Sequence, residues 1–85
     1  MMGLLRTLVQ ECGVVADCFV GREVEHVHTR ERLLAIAPQY YLVDAGCRLR
    51  TGDRIWFRDK RERVVNHELS GCVLILHTCT DAATR

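Results

Sequence analysis

Residues 48–57, RLRTGDRIWF, decide how the rest of the chain is read. Glycine supplies a positive φ at no steric cost, and an Asp in a tight turn bonds nearby backbone, so Thr51-Gly52-Asp53 reads as a turn. The pattern then changes to period two. Ile55 and Phe57 point one way, while Arg54, Trp56 and Arg58 point the other. That alternation marks a strand buried on one face. A turn therefore launches a strand whose open side is framed by arginines.

Working towards the C-terminus, residues 54–58 are a strand, 59–62 (DKRE) a reverse turn and 63–68 the return strand. Residues 69–71 (LSG) make a second turn. Residues 72–78, CVLILHT, are nearly all apolar and predict a central strand covered on both faces. Residues 80–85 are a frayed tail. Working towards the N-terminus, residues 45–47 loop back to a strand at 39–44. Pro38 ends the strand before it, 33–37. Residues 14–20, VVADCFV, are β-branched and apolar, and Gly21 stops them. Residues 21–32, GREVEHVHTRER, are polar on both faces at either period and predict a projecting loop or ribbon. Residues 3–12, GLLRTLVQEC, place Leu4, Leu5, Leu8, Val9 and Cys12 on one face of a short helix, with Gly13 placed to end it. About three turns are marginal alone, so the helix must dock. The reading is one domain over 1–85: a helix at 3–12, a mainly β body at 14–79 of five or six short strands, and a tail. The fold class is a small antiparallel β-barrel or sandwich with one short N-terminal helix. Ile55, Phe57, Val64, Leu74 and Leu76 are its expected core.

Composition narrows the function. The 85 residues are 48% hydrophobic but only 6% aromatic, enough for one core and little more. A chain this short buries only about 60% of its unfolded surface, which leaves little material for a deep catalytic pocket. A binding or assembly module is expected, not an enzyme, with no cofactor. Net charge is +1, but it is segregated. Residues 48–63 hold seven basic side chains against three acidic ones, giving +4, while 1–47 carry −2 and 64–85 carry −1. One positive side suits stacking of unlike surfaces or a phosphate backbone nearby; it also suits an ordinary solvated strand pair. Five cysteines, an odd number without a C-x-x-C pair or a preceding secretory signal, read as reduced and mostly buried. No stretch reaches the length of a membrane span.

Catalytic and metal motifs are sparse. Ser70 is the sole serine and sits in a turn, which disfavours a Ser–His–Asp triad, and no phosphate loop or H-E-x-x-H occurs. Cys72, His77 and Cys79, with His67, are residue types that bind zinc. Their spacing within one strand is not that of a knuckle, so no metal is expected; His77 and Cys79 are read as sharing a packing face with Val73 and Ile75. His26 and His28 share a face if extended, a weak metal signal. Trp56, between Arg54 and Arg58, suits base stacking or an interface anchor, and the reading adopted is a ring covered by the N-terminal helix.

With the C-terminal half assembled, LRTGDRIWF, a short turn, ERVVNHELSG and then CVLILH resemble the ending of head–tail joining proteins of long-tailed bacteriophages, the stoppers or connectors. The resemblance covers about residues 42–78. It implies a structural virion protein, assembled in the bacterial host cytoplasm, forming a homo-oligomeric ring at the head–tail junction. The ring would sit between a portal or adaptor protein and a tail terminator or tail tube protein, with DNA passing through its channel and no membrane involved. Sealing the channel and offering a tail attachment surface would be its role. On this resemblance the channel loop is 21–32, with Arg22, Glu23, Glu25, His26, His28 and Arg30. The surface facing a neighbour or DNA carries Arg48, Arg50, Arg54, Trp56, Arg58, Arg61 and Arg63. A ring also gives the charge segregation a use, because unlike surfaces must meet around a closed heterologous interface. The competing expectation is a small SH3-like or OB-like nucleic-acid-binding module, with Trp56, Tyr40 and Tyr41 stacking bases and Arg54, Arg58 and Arg63 holding phosphates.

Overall fold

Alternation along each strand becomes the inside and outside of a closed sheet. The computed structural model describes residues 3–21 and 27–81. Helix α1 (Gly3–Cys12) precedes strands β1 (Val14–Val20), β2 (Val27–Ala37), β3 (Tyr40–Asp44), β4 (Arg54–Phe57), β5 (Lys60–Ser70) and β6 (Val73–Thr80). All pairings are antiparallel, in the order β1-β2-β3-β6-β5-β4. The sheet closes where β4 meets β1, through Asp17↔Trp56, Cys18↔Ile55 and Phe19↔Arg54. The expected mainly β architecture is thus a six-stranded antiparallel barrel with one short N-terminal helix. Every described strand therefore pairs on both sides, and the sheet has no terminal strand of the kind that recruits another chain.

The barrel interior holds Ala16 and Cys18 from β1, Leu33 from β2, Tyr41 and Val43 from β3, Ile55 and Phe57 from β4, Val64 from β5, and Leu74 and Leu76 from β6. Cys47 and Leu49, in the loop after β3, fill one end. All five expected core residues are buried. Two bulges keep the inward set inward. Ile36 is the extra residue between Ala35 and Ala37 in β2, and Val65 between Val64 and Asn66 in β5. Each resets the alternation and bends its strand. Ile36 and Val65 are consequently turned to solvent.

Four expectations change. Residues 59–62 are not the turn. Arg58 and Asp59 both take positive φ, 53° and 67°, and form a two-residue hairpin loop, so Lys60, Arg61 and Glu62 already pair with Phe57, Trp56 and Ile55. Paired positive φ values give the loop the twist that antiparallel neighbours need. Ser70 and Leu69 likewise remain in β5, and the turn is Gly71-Cys72. Residues 27–32, expected in a projecting loop, belong to β2 and pair with β1 from Val20↔Val27 to Val15↔Arg32. Their polar side chains are satisfied within the sheet, which composition alone does not reveal. Finally, Thr80 completes β6, and Asp81, expected in the frayed tail, is buried, with its carboxylate 3.5 Å from Arg54 Nε.

Helix α1 docks, but by one residue. Val9 is buried with Leu42 and Val73, flanked by Leu34 and Ile75, while Leu4, Leu5, Leu8 and Cys12 stay exposed. Arg6 ties the helix to Asp44 at 3.3 Å. Gly13 is required by close approach: a Cβ there would lie 2.4 Å from the Val9 carbonyl oxygen and 2.7 Å from Arg32 Cγ. The Gly13 amide donates to that same Val9 carbonyl, and Arg32 donates to the Gly13 carbonyl. The five cysteines are free thiols. Burial pushes the Cys18 thiol up to about 12 and raises that of Cys47, so both stay protonated packing groups at neutral pH.

Leu76 is fully buried on β6, between β3 and β5. Leu76→Ala should cost about 2–5 kcal/mol and lower the urea midpoint accordingly; an unchanged midpoint would show that β6 is not central to the core.

Candidate functional site

The outer face of β2, β1, β4 and β5 gathers aromatic rings and arginines into a row. Register places Phe19 opposite His28, Asp17 opposite both Arg30 and Trp56, and Trp56 opposite Arg61. Residues directly opposed across an antiparallel pair share a face. The rings follow. His28 and Phe19 have centroids 5.3 Å apart, Phe19 and Trp56 5.5 Å, and Arg61 Cζ lies 4.4 Å from the Trp56 ring centroid. One side chain from each of four neighbouring strands therefore stands in contact with the next. Arg54 and Arg63 pair beside the row, and Arg30 flanks its other end.

Asp17 is the acidic member. Its Oδ1 lies 2.9 Å from His28 Nε2 and accepts from Arg30 Nε at 3.3 Å. The hydrogen bond with His28 is the largest of the influences that hold the Asp17 carboxyl below its usual range, helped by the charge of Arg30. The carboxylate thus orients His28 and Arg30 rather than neutralising the whole face. Trp56 is 43% exposed, not covered by α1, which lies against β2 and β3 instead.

A second feature lies at one end of the barrel. An open groove of about 1030 Å³ runs between the β2–β3 turn, the β4–β5 turn and the end of β6, lined among others by Ile36, Pro38, Tyr41, Phe57, Arg58 and Glu62. Glu62 is only 5% exposed. Its Oε1 accepts both the Tyr41 hydroxyl, at 2.9 Å, and the Thr78 hydroxyl, at 2.6 Å. Burial, with the hydrogen bond to Glu62 next, raises the Tyr41 hydroxyl above its ordinary range, so it remains the donor. Tyr41 also meets the Phe57 ring edge-on at 5.1 Å, and Arg58 covers that ring from the turn. The lining charges are mixed: Arg58, Lys60 and Arg61 against Asp59, Glu62 and Asp81. Glu62 and its two hydroxyls are a satisfied polar cluster that positions three strands.

The sequence-derived candidates divide accordingly. Arg54, Trp56, Arg61 and Arg63 come together on the outer face. Arg58 belongs to the groove rim. Arg50 is turned back onto the carbonyls of Cys47 and Leu49, and Arg48 is exposed in the loop before the turn. Of the channel-loop set, Arg22, Glu23, Glu25 and His26 lie outside the described residues; His28 and Arg30 stand in β2, held by Asp17, not in a loop. The tyrosines expected to join Trp56 do not. Tyr41 faces the interior, and Tyr40 stacks on His77 at 4.6 Å on another part of the wall. His77 and Cys79 do share the outward side of β6 with Val73 and Ile75. Among the described residues no three His, Cys, Asp or Glu side chains converge as a metal site would need. Phe19 was not singled out in sequence. The signal available was its odd-numbered phase with Asp17 in VVADCFV, which puts both outside once Ala16 and Cys18 are inside.

No family model, curated protein or solved structure matches the chain.

Tyr41→Phe deletes one of the two hydroxyls that Glu62 accepts. It should lower stability by about 1–3 kcal/mol, the range for a buried polar group losing a partner. A urea midpoint equal to that of the parent would show that the cluster is solvated and that the groove floor is wet.

Proposed function

We propose that the chain is a non-catalytic subunit of a ring at the head–tail junction of a long-tailed bacteriophage, sealing the DNA channel and presenting a tail attachment surface. The observation that carries this reading is the use made of the segment bearing the resemblance. Gly52 takes φ +102°, and the Asp53 carboxylate accepts the Arg50 amide at 2.8 Å and the Gly21 amide at 3.1 Å. The segment is therefore the clasp of the barrel rather than an incidental loop. Two further features support an assembly role. Leu4, Leu5 and Leu8 leave an apolar helix surface unused by the chain's own core, Leu4 being 62% exposed. Arg54, Arg61 and Arg63 lie on β4 and β5, whereas the helix lies against β2 and β3. Unlike surfaces on different sides of one subunit suit a closed head-to-tail ring.

Removing the gene from the phage that encodes it should give heads that leak or retain DNA without tails, alongside free tails. Infectious tailed particles at the parental yield would contradict the proposal. The double variant Leu4→Glu with Leu8→Glu changes exposed positions, so it should keep stability within about 0.5 kcal/mol and yet fail to restore tailed particles. Full restoration would remove the helix from the proposed interface.

A further inference from the structure

We infer that the outer face of β2, β1, β4 and β5 binds single-stranded nucleic acid, stacking bases on Phe19 and Trp56 and holding phosphates with Arg30, Arg54, Arg61 and Arg63. The inference stands apart from the ring reading and rests on the contact row alone. Three rings and a guanidinium follow one another across four strands, a span of about 14 Å at three strand spacings; neighbouring ring planes are tilted by 35° and 58°, and Arg61 lies over the Trp56 ring. Base–aromatic stacking tolerates sequence because every base offers a π-face. The tilted rings offer faces between which single bases can insert, and the Arg61 guanidinium over one face of Trp56 directs N–H donors outward towards phosphate oxygens.

Charge complementarity selects the occupant. Arg61 within the row and Arg30, Arg54 and Arg63 beside it stand, among the described residues, against the carboxylate of Asp17, and Arg54 has Asp81 alongside. The chain is near neutral overall, so this face is a local positive patch, not a consequence of net charge. A duplex hides its base faces in the stack, and the row stands on the convex outside of a barrel, where it cannot enter a groove as a helix does. Unstacked strands present both the bases and the phosphates that these side chains fit. The Tyr40–His77 stack, flanked in the ladder by Ala37 and Asn66 where the row has arginines, serves as an internal comparison.

Trp56 is the sole tryptophan, so its fluorescence reports the site directly. Titrating the full chain with a short oligo-dT at low salt should quench Trp56 emission, and added salt should weaken the binding, as phosphate contacts require. A duplex of equal length should bind more weakly. With a labelled oligonucleotide read by anisotropy, Phe19→Ala or Trp56→Ala should weaken binding about five- to 150-fold, the range for one lost base stack. Arg30→Gln and Arg61→Gln alter exposed positions and test the site without risk to the core; each should weaken binding and flatten the salt dependence. Asp17→Asn should tighten it, and Tyr40→Ala should leave it unchanged. No quenching by oligo-dT, equal affinity for duplex, or affinity insensitive to both Arg30→Gln and Arg61→Gln would overturn the inference. So would an absence of oligonucleotide binding together with loss of self-association in Trp56→Ala, which would assign the row to a protein contact. Ring assembly is read separately by particle mass, so either result leaves the other distinguishable.

Discussion

Asp53 ties its own turn to the end of β1 through its carboxylate and to β5 through its backbone. One oxygen accepts the Gly21 amide just past β1, and the other accepts the Arg50 amide within its own turn. Its backbone exchanges a bond with β5, where the Val64 amide donates to the Asp53 carbonyl at 2.8 Å, while the Gly52 amide donates to the Val64 carbonyl. Asp53 is buried, so these donors compete with little water. Each charge-assisted bond contributes about 1.5–3 kcal/mol, a large share of the stability of a small domain. The clasp lies beside the short β1–β4 ladder that closes the barrel. With β4 only four residues long, side-chain bonds at its entrance do much to fix where it meets β1.

The outer row depends on that closure. His28 and Phe19 reach it through the long β1–β2 ladder, Trp56 and Arg61 through the β4–β5 hairpin. Only the β1–β4 contact brings the two halves together. A shift of one residue there would turn Trp56 inwards and Ile55 outwards, since side chains alternate with period two. The Arg58-Asp59 loop contributes from the other end. Non-glycine residues in left-handed backbone are uncommon and cost energy. Here the two-residue loop sets Trp56 directly opposite Arg61, and the Arg58 guanidinium lies 5.1 Å from the Phe57 ring centroid.

Much of the barrel was legible because its signals are local. Alternation in RIWF, the apolar run ending in LILHT and the Gly-Asp turn are each decided within a few residues. Glu62 was not legible. It reads as a surface charge until the turn is placed at 58–59, after which it falls opposite Ile55 and must face inwards. Residues 27–32 misled for a related reason: Asp17, ten or more residues away, satisfies His28 and Arg30. The helix misled in the opposite sense. Its apolar face is wide enough to bury five residues, yet the barrel wall accepts only Val9, leaving three leucines for another surface. The row needed register between β1 and β4, a non-local fact that no window of the sequence contains.

Amide hydrogen exchange on Asp53→Ala, compared with the parent chain, tests most directly whether the clasp holds the barrel closed. If it does, the Cys18 and Ile55 amides on the closing strands should exchange at least about tenfold faster, matching the loss of one charge-assisted bond. The Leu74 and Leu76 amides, between β3 and β5, should change less, because opening there requires the core to come apart. Protection at Cys18 and Ile55 equal to the parent's, with change confined to residues 50–53, would contradict the account.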